Sequence, residues 1–77
     1  MSKPWKPDFY LLCKIHSLYY DDLLRIADAA GVPKEVVHRM FLKYPVKHSE
    51  AEAVLKAFSH HVGRPWTMEN TRVPTED

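Results

Sequence analysis

Apolar residues recur at spacings of three and four along most of this chain, the spacing that places them on one face of an α-helix. The first such stretch follows Asp8, a predicted N-cap, and predicts a helix over residues 9–18. Its inward stripe is predicted to consist of Phe9, Leu12, Ile15, His16 and Tyr19. Of the adjacent Tyr19 and Tyr20, which follow where this helix gives way, we expect one to pack and one to face solvent.

Two further helical patterns, over residues 23–30 and 33–42, are separated by Gly31. Glycine adopts a positive φ at little cost, so Gly31 is the expected turn residue between them. Pro33 suits the first turn of the following helix because its φ is already fixed and its missing N–H would have no intrahelical partner. The sequence therefore predicts two short helices joined by a tight turn.

A fourth helix is predicted from Glu50 to Gly63, with Ser49 and Glu52 forming a capping box at its start. Its inward stripe is Ala51, Val54, Leu55, Phe58 and Val62. We expect Trp66 to pack beside Phe58. Thr67 is expected to cap one short turn.

The resulting fold class is all-α, a compact four- to five-helix bundle in a single domain of 77 residues. Residues 1–7 contain two prolines and two lysines and are predicted to form a basic N-terminal arm, residues 8–71 the helical core, and residues 72–77 a polar tail. No apolar run approaches the roughly 20 residues of a membrane span. The N-terminus does not resemble a signal peptide, so the expected location is the cytoplasm.

The candidate chemistry is sparse. Cys13 is the only cysteine and lies among leucines, which favours a small buried hydrophobe over a reactive thiol. The five histidines are spread over different elements, except for the adjacent His60 and His61, and no glycine-rich loop or nucleophile motif is present. We therefore expect no metal, no cofactor, no small-molecule substrate and no enzymatic activity. A net charge of +1 is low for a nucleic-acid binder, so any such function depends on where the charges lie.

The central pattern resembles the helix-turn-helix of the Cro and phage-repressor (XRE, lambda-repressor-like) class of DNA-binding domains. The residues that carry this resemblance are Ile26, Ala27, Ala30, Gly31, Val32, Val37 and Met40. It implies sequence-specific binding of double-stranded DNA by a prokaryotic or phage transcriptional regulator, as a homodimer, with the helix over 33–42 in the major groove.

The implied contacts divide into two sets. The base-reading residues are Lys34, Glu35, His38 and Arg39. The phosphate-contacting residues are Lys43, Lys47, His48, Lys3 and Lys6. The alternative for the first set is a solvated helix face on which Glu35 pairs with Arg39. For Lys43, Lys47 and His48 the alternative is an ordinary basic loop.

Asp21 and Asp22 depart from the pattern of this class. Either is a predicted N-cap of the second helix and stabilises it, but their charge would repel a phosphate at that helix start. This keeps a second function open, in which the same fold is a protein-interaction module that does not read DNA. Its contacts would be aromatic side chains, namely Tyr19, Tyr20, Tyr44 and Trp66.

Overall fold

A computed structural model describes residues 6–76 of the chain. Four helices form its framework: α1 (Phe9–Ile15), α2 (Tyr20–Ala30), α3 (Lys34–Phe41) and α4 (His48–Val62). Within the described residues there is no strand, and the only β-type pairing is an isolated parallel bridge between Val46 and Thr75. The predicted all-α bundle is therefore confirmed, with four helices.

The core forms because each helix turns one apolar stripe inward. Helix α2 packs against both α3 and α4, and α1 packs against α3. The rings of Phe9 and Phe58 meet edge to face with centroids 5.3 Å apart, which links α1 to α4. The largest fully buried side chains include Phe9, Phe58, Leu12, Ile26, Met40 and Leu55. Cys13 is buried among them, as predicted.

All four helices end through a residue in the left-handed region. Gly31 after α2 and Gly63 after α4 both have φ of 70°, as their positions in the sequence predicted. Two non-glycine residues adopt the same conformation, Ser17 after α1 with φ of 54° and Lys43 after α3 with φ of 68°. A left-handed residue lets the next N–H groups bond back to the free carbonyls of the last turn.

The predicted end of the first helix is wrong. Helix α1 stops at Ile15 because the chain reverses at Ser17, and the N–H of Leu18 then bonds to the carbonyl of Cys13 at 2.9 Å. The predicted inward stripe is consequently wrong at Ile15, which is 42% exposed, and at Tyr19, which is 78% exposed. Tyr20 is exposed as well, so neither tyrosine packs into the core.

Helix α2 begins earlier than predicted, at Tyr20, and neither Asp21 nor Asp22 is its N-cap. Tyr19 occupies the N-cap position. The carboxylate of Asp22, in the first turn, accepts a hydrogen bond from the N–H of Tyr19 at 2.9 Å. Asp22 thus satisfies a backbone donor at the helix start from inside the helix rather than from before it.

Helix α4 also begins earlier than predicted, at His48. The carboxylate of Glu50 accepts a hydrogen bond from the N–H of Lys47 at 3.3 Å, so the predicted capping box of Ser49 and Glu52 is wrong. Glu52 instead lies 3.4 Å from His48, one turn earlier on the same helix. Helix α3 differs from its predicted range by only one residue at each end, with Pro33 immediately before it.

Residues 72–76, here called the C-terminal segment, pack against the domain instead of extending away as a polar tail. The N–H of Arg72 donates to the carbonyl of Pro7 at 2.8 Å. Val73 is buried in the core, and the bridge to Val46 holds the segment beside the α3–α4 loop. Composition alone predicted a tail because one buried valine and a few backbone bonds leave almost no sequence signal.

Trp66 is buried, as predicted, after the turn that ends α4. The backbone N–H of Trp66 donates to the hydroxyl of Ser59 at 2.7 Å, and that hydroxyl donates to the backbone carbonyl of Leu55. The predicted turn capped by Thr67 is also present, because the Thr67 hydroxyl accepts a hydrogen bond from the backbone N–H of Glu69 at 3.2 Å.

Candidate nucleic-acid interface

Helix α3 has one buried face and one exposed face. Val36, Val37 and Met40 are buried against α1, α2 and α4. The predicted base-reading residues all lie on the exposed part of the helix: Lys34, Glu35, His38 and Arg39. The separation follows directly from the 3.6-residue period, since positions three and four apart share a face.

The turn before α3 holds the helix in place. Gly31 takes the left-handed conformation, and the N–H of Val32 bonds to the carbonyl of Ala27 at 3.1 Å. Ala27 is buried and small, which lets α2 and α3 approach closely. The exposed face of α3 therefore belongs to a hairpin of two packed helices.

The alternative arrangement of this face, an ion pair between Glu35 and Arg39, is not found among the ion pairs of residues 6–76. The two side chains are one helical turn apart and exposed. A guanidinium can donate two bonds to a guanine edge, and a carboxylate can accept from the amino group of cytosine. The face thus presents both donors and an acceptor to an incoming ligand.

A small hollow of about 170 Å³ lies between α2 and α3 at the edge of this face. Its apolar lining comes from Tyr20, Leu23, Leu24 and Val37, and its polar lining from Lys34, Glu35 and His38. Three of the four predicted base-reading residues therefore border an apolar depression. Sequence spacing gave no sign of this hollow, because it depends on how far apart the two helices sit.

One of the two aspartates at the start of α2 has hydrogen-bond partners within the fold. One carboxylate oxygen of Asp22 lies 3.1 Å from Nε2 of His61, near the end of α4. The Tyr19 N–H bond, followed by the contact with His61, lowers the pKa of Asp22 from its usual value. Asp22 is thus committed to partners within the fold, and Asp21 remains exposed at that helix start.

The predicted phosphate contacts fall in different environments. Lys47 is exposed immediately before α4. Lys43 is also exposed, but its ammonium lies 3.5 Å from the carboxylate of Asp8 and over the ring of Tyr10. His48 contacts Glu52, as described above. Lys3 lies outside the described residues.

Lys6 belongs to a second basic location, which does not include Lys47 and which the sequence did not reveal. It lines a hollow together with Lys43 and Arg72. Arg72 was predicted to belong to a polar tail and was not among the candidate contacts. Only Val73, an isolated apolar residue next to it, hinted that this part of the chain packs against the domain.

The described part of the chain lacks two other features. No group of three or more histidine, cysteine, aspartate or glutamate side chains is arranged to hold a metal ion there. No helix in residues 6–76 combines the length and apolar character needed to cross a membrane.

Comparison of the chain with protein-family models, with curated proteins and with solved structures found no match.

Proposed function

We propose that this protein binds double-stranded DNA sequence-specifically, through a helix-turn-helix formed by α2, the Gly31 turn and α3. The observation that carries the proposal is the exposed face of α3, on which Lys34, Glu35, His38 and Arg39 stand clear of the protein's own packing. An α-helix with its side chains is about 10–12 Å in diameter, so α3 fits a major groove about 12 Å wide.

The chemistry of the face supports reading of base edges. Arg39 would donate two bonds to a guanine, and Glu35 would accept one from a cytosine amino group. Lys34 and His38 would add donors to guanine or to a flanking phosphate. Each well-formed bidentate contact discriminates against a wrong base by about 1–3 kcal/mol.

The charge distribution limits how such binding would work. With a net charge of +1 and Asp21 exposed at the start of α2, attraction to DNA of arbitrary sequence is weak. Affinity would then depend more on base contacts and on pairing of two protomers than in a strongly basic domain. The proposed role is a prokaryotic or phage transcriptional regulator that acts in the cytoplasm as a homodimer on two half-sites.

The decisive experiment is selection of bound duplexes from a random pool at low salt. We expect one sequence, or two related half-sites about one helical turn apart, to become enriched. The same selection with Arg39→Ala should lose enrichment at one base position and keep it at the others. A pool that stays random after repeated rounds contradicts the proposal.

Exposed aromatic and apolar side chains favour a second candidate function, binding of a protein partner. Tyr19, Tyr20 and Tyr44 are all more than half exposed, and Tyr20 borders the hollow between α2 and α3. Trp66, which the sequence added to this group, is buried and offers no contact surface. Sedimentation that finds a tight dimer, together with no affinity for any duplex, would support this function over DNA binding.

A further inference from the structure

The hollow beside Lys6 lies where three parts of the chain meet: the residues before α1, the end of α3 and the C-terminal segment. Its volume is about 590 Å³. Each part contributes one cationic side chain, namely Lys6, Lys43 and Arg72. Asp8 supplies the one carboxylate among the lining residues, which leaves an excess of positive charge.

Of these three charges, the fold pairs only that of Lys43, which lies near Asp8. Among residues 6–76, neither Lys6 nor Arg72 takes part in an ion pair, and both side chains are exposed. The backbone of Arg72 is anchored through its N–H to Pro7, so packing fixes where the side chain starts. Gathering like charges raises the free energy of the folded state, and an anion in the hollow would relieve this repulsion.

We infer that this hollow is a phosphate-binding site, formed by Lys6, Lys43 and Arg72, that holds a backbone phosphate of bound DNA. A guanidinium matches a phosphate with two parallel hydrogen bonds, and the two ammonium groups add point charges. Arg72 is the residue that this inference adds to the interface. The inference rests on the proposed function for the source of the phosphate, but its chemistry is that of any phosphate group.

The location of the hollow suits a duplex held by α3. Lys43 lies two residues after Phe41, where α3 ends, and four residues after Arg39. A duplex whose major groove contains α3 therefore brings its flanking phosphates close to this end of the helix. The same duplex would contact Lys47, which lies immediately before α4. The two basic locations would then bind separate phosphates.

Asp8 leaves Lys43 available for such a ligand. The carboxylate of Asp8 caps α1 by accepting from the N–H of Leu11 at 2.8 Å, and it lies 3.5 Å from the ammonium of Lys43. That ammonium side chain is 58% exposed, and exposed ion pairs of this kind contribute little free energy. Lys43 can therefore turn from Asp8 to a phosphate without disturbing the helix cap.

The test compares the salt dependence of duplex binding for Arg72→Gln, Lys6→Gln and a matched control, Lys56→Gln. Lys56 is exposed on α4 and lines a different hollow, beside α2. The logarithm of the binding constant falls linearly with the logarithm of the salt concentration, and loss of one phosphate contact makes this decrease shallower by about 0.9. At 0.1 M salt the loss is equivalent to about eightfold weaker binding. We expect this change for Arg72→Gln and for Lys6→Gln, at every duplex sequence, and no change for Lys56→Gln.

Two further outcomes separate this inference from the proposed function. If the duplex binds but Arg72→Gln and Lys6→Gln behave like Lys56→Gln, the inference is wrong and the proposed function stands. If no duplex binds, inorganic phosphate is titrated while backbone amide signals are followed by NMR. Saturable shifts at Lys6, Lys43 and Arg72, lost in Arg72→Gln, would support a site for a soluble phosphate compound, whereas their absence would overturn the site as well.

Discussion

The indole N–H of Trp66 donates a hydrogen bond to Nε2 of His16 at 3.1 Å. An indole nitrogen can only donate, so the accepting ring nitrogen carries no proton and the imidazole is neutral in this arrangement. The bond joins the end of α1 to the turn after α4, fifty residues apart in sequence. The His16 ring also packs edge-on against Phe58, which places a titratable group at the margin of the core.

Protein stability should therefore fall as the solution becomes mildly acidic. Burial, and secondarily the charge of Arg64, lower the pKa of His16 from its ordinary value of 6.5. The unfolded chain then takes up a proton at higher pH than the folded one. This contribution to stability is complete above pH 6.5 and is lost as pH falls through the folded pKa.

Urea unfolding at a series of pH values, with NMR titration of the His16 ring, checks this prediction. The variant Trp66→Phe removes the donor and should move the pKa of His16 back toward its ordinary value. Asp22, whose pKa is also lowered, affects stability only as pH falls below its ordinary value of 3.8, whereas the effect of His16 begins at pH 6.5. A His16 ring that titrates at or above 6.5 in the folded protein contradicts the prediction.

Replacement of Gly31 by alanine should lower the free energy of unfolding through backbone strain alone. A Cβ at this position would meet no atom within 4 Å, but φ is +70°. The expected loss is about 1 kcal/mol, and Gly63→Ala, with the same φ and the same free space, should match it. Ser17→Gly relieves the same conformation at the end of α1 and should leave stability unchanged or raised. Chemical denaturation measures the free energy of unfolding of all three variants. If Gly31→Ala leaves that free energy unchanged, the turn tolerates a side chain.

The C-terminal segment should contribute measurably to stability. Val73 is 9% exposed, and Val73→Ala removes two methyl groups from the core, which should cost about 1.5 kcal/mol. Glu76→Ala is the control, because its side chain is exposed and takes part in no ion pair among residues 6–76, while its backbone bond to Val46 persists. Equal unfolding midpoints for the two variants would mean that the segment is detached in solution.

The two sets of predicted DNA contacts should differ in their effect on specificity. We expect Arg39→Ala to weaken binding to the selected duplex by about 1–3 kcal/mol, with little effect on other sequences. Lys47→Ala should weaken all duplexes alike and reduce the salt slope by about one. Fluorescence anisotropy with specific and scrambled duplexes measures both, and a sequence-independent effect of Arg39→Ala would assign that residue to the phosphate backbone instead.

The thiol of Cys13 should be unreactive in the folded protein. Burial, followed by the charge of Asp8, raises its pKa to about 12, so at pH 8 about one thiol in ten thousand is ionised. Alkylation by iodoacetamide should be slow in buffer and should reach the ordinary rate in urea. Equal rates under the two conditions would show that α1 opens readily.

The sequence was most informative where structure depends on neighbouring residues. The turn at Gly31 follows from the missing Cβ of glycine. Helical spacing predicted that α3 buries Val37 and Met40 and exposes Arg39, and that Cys13 is buried. Helix starts were predicted less well. The carboxylates of Asp22 and Glu50 accept backbone N–H bonds from within the first turn of their helices. Because a carboxylate near a helix start suits both the N-cap position and the first turn, the sequence does not distinguish the two.

What the sequence determined by itself is therefore the set of helices and which side of each turns inward, because both depend on contacts within one or two turns. Tertiary structure alone decided that Asp22 meets His61, that Trp66 meets His16, and that Arg72 joins Lys6 and Lys43 at one hollow. The reason is that these groups are brought together by packing between segments remote in the chain. Periodicity describes the face on which a residue lies, but it contains no information on what that face will contact.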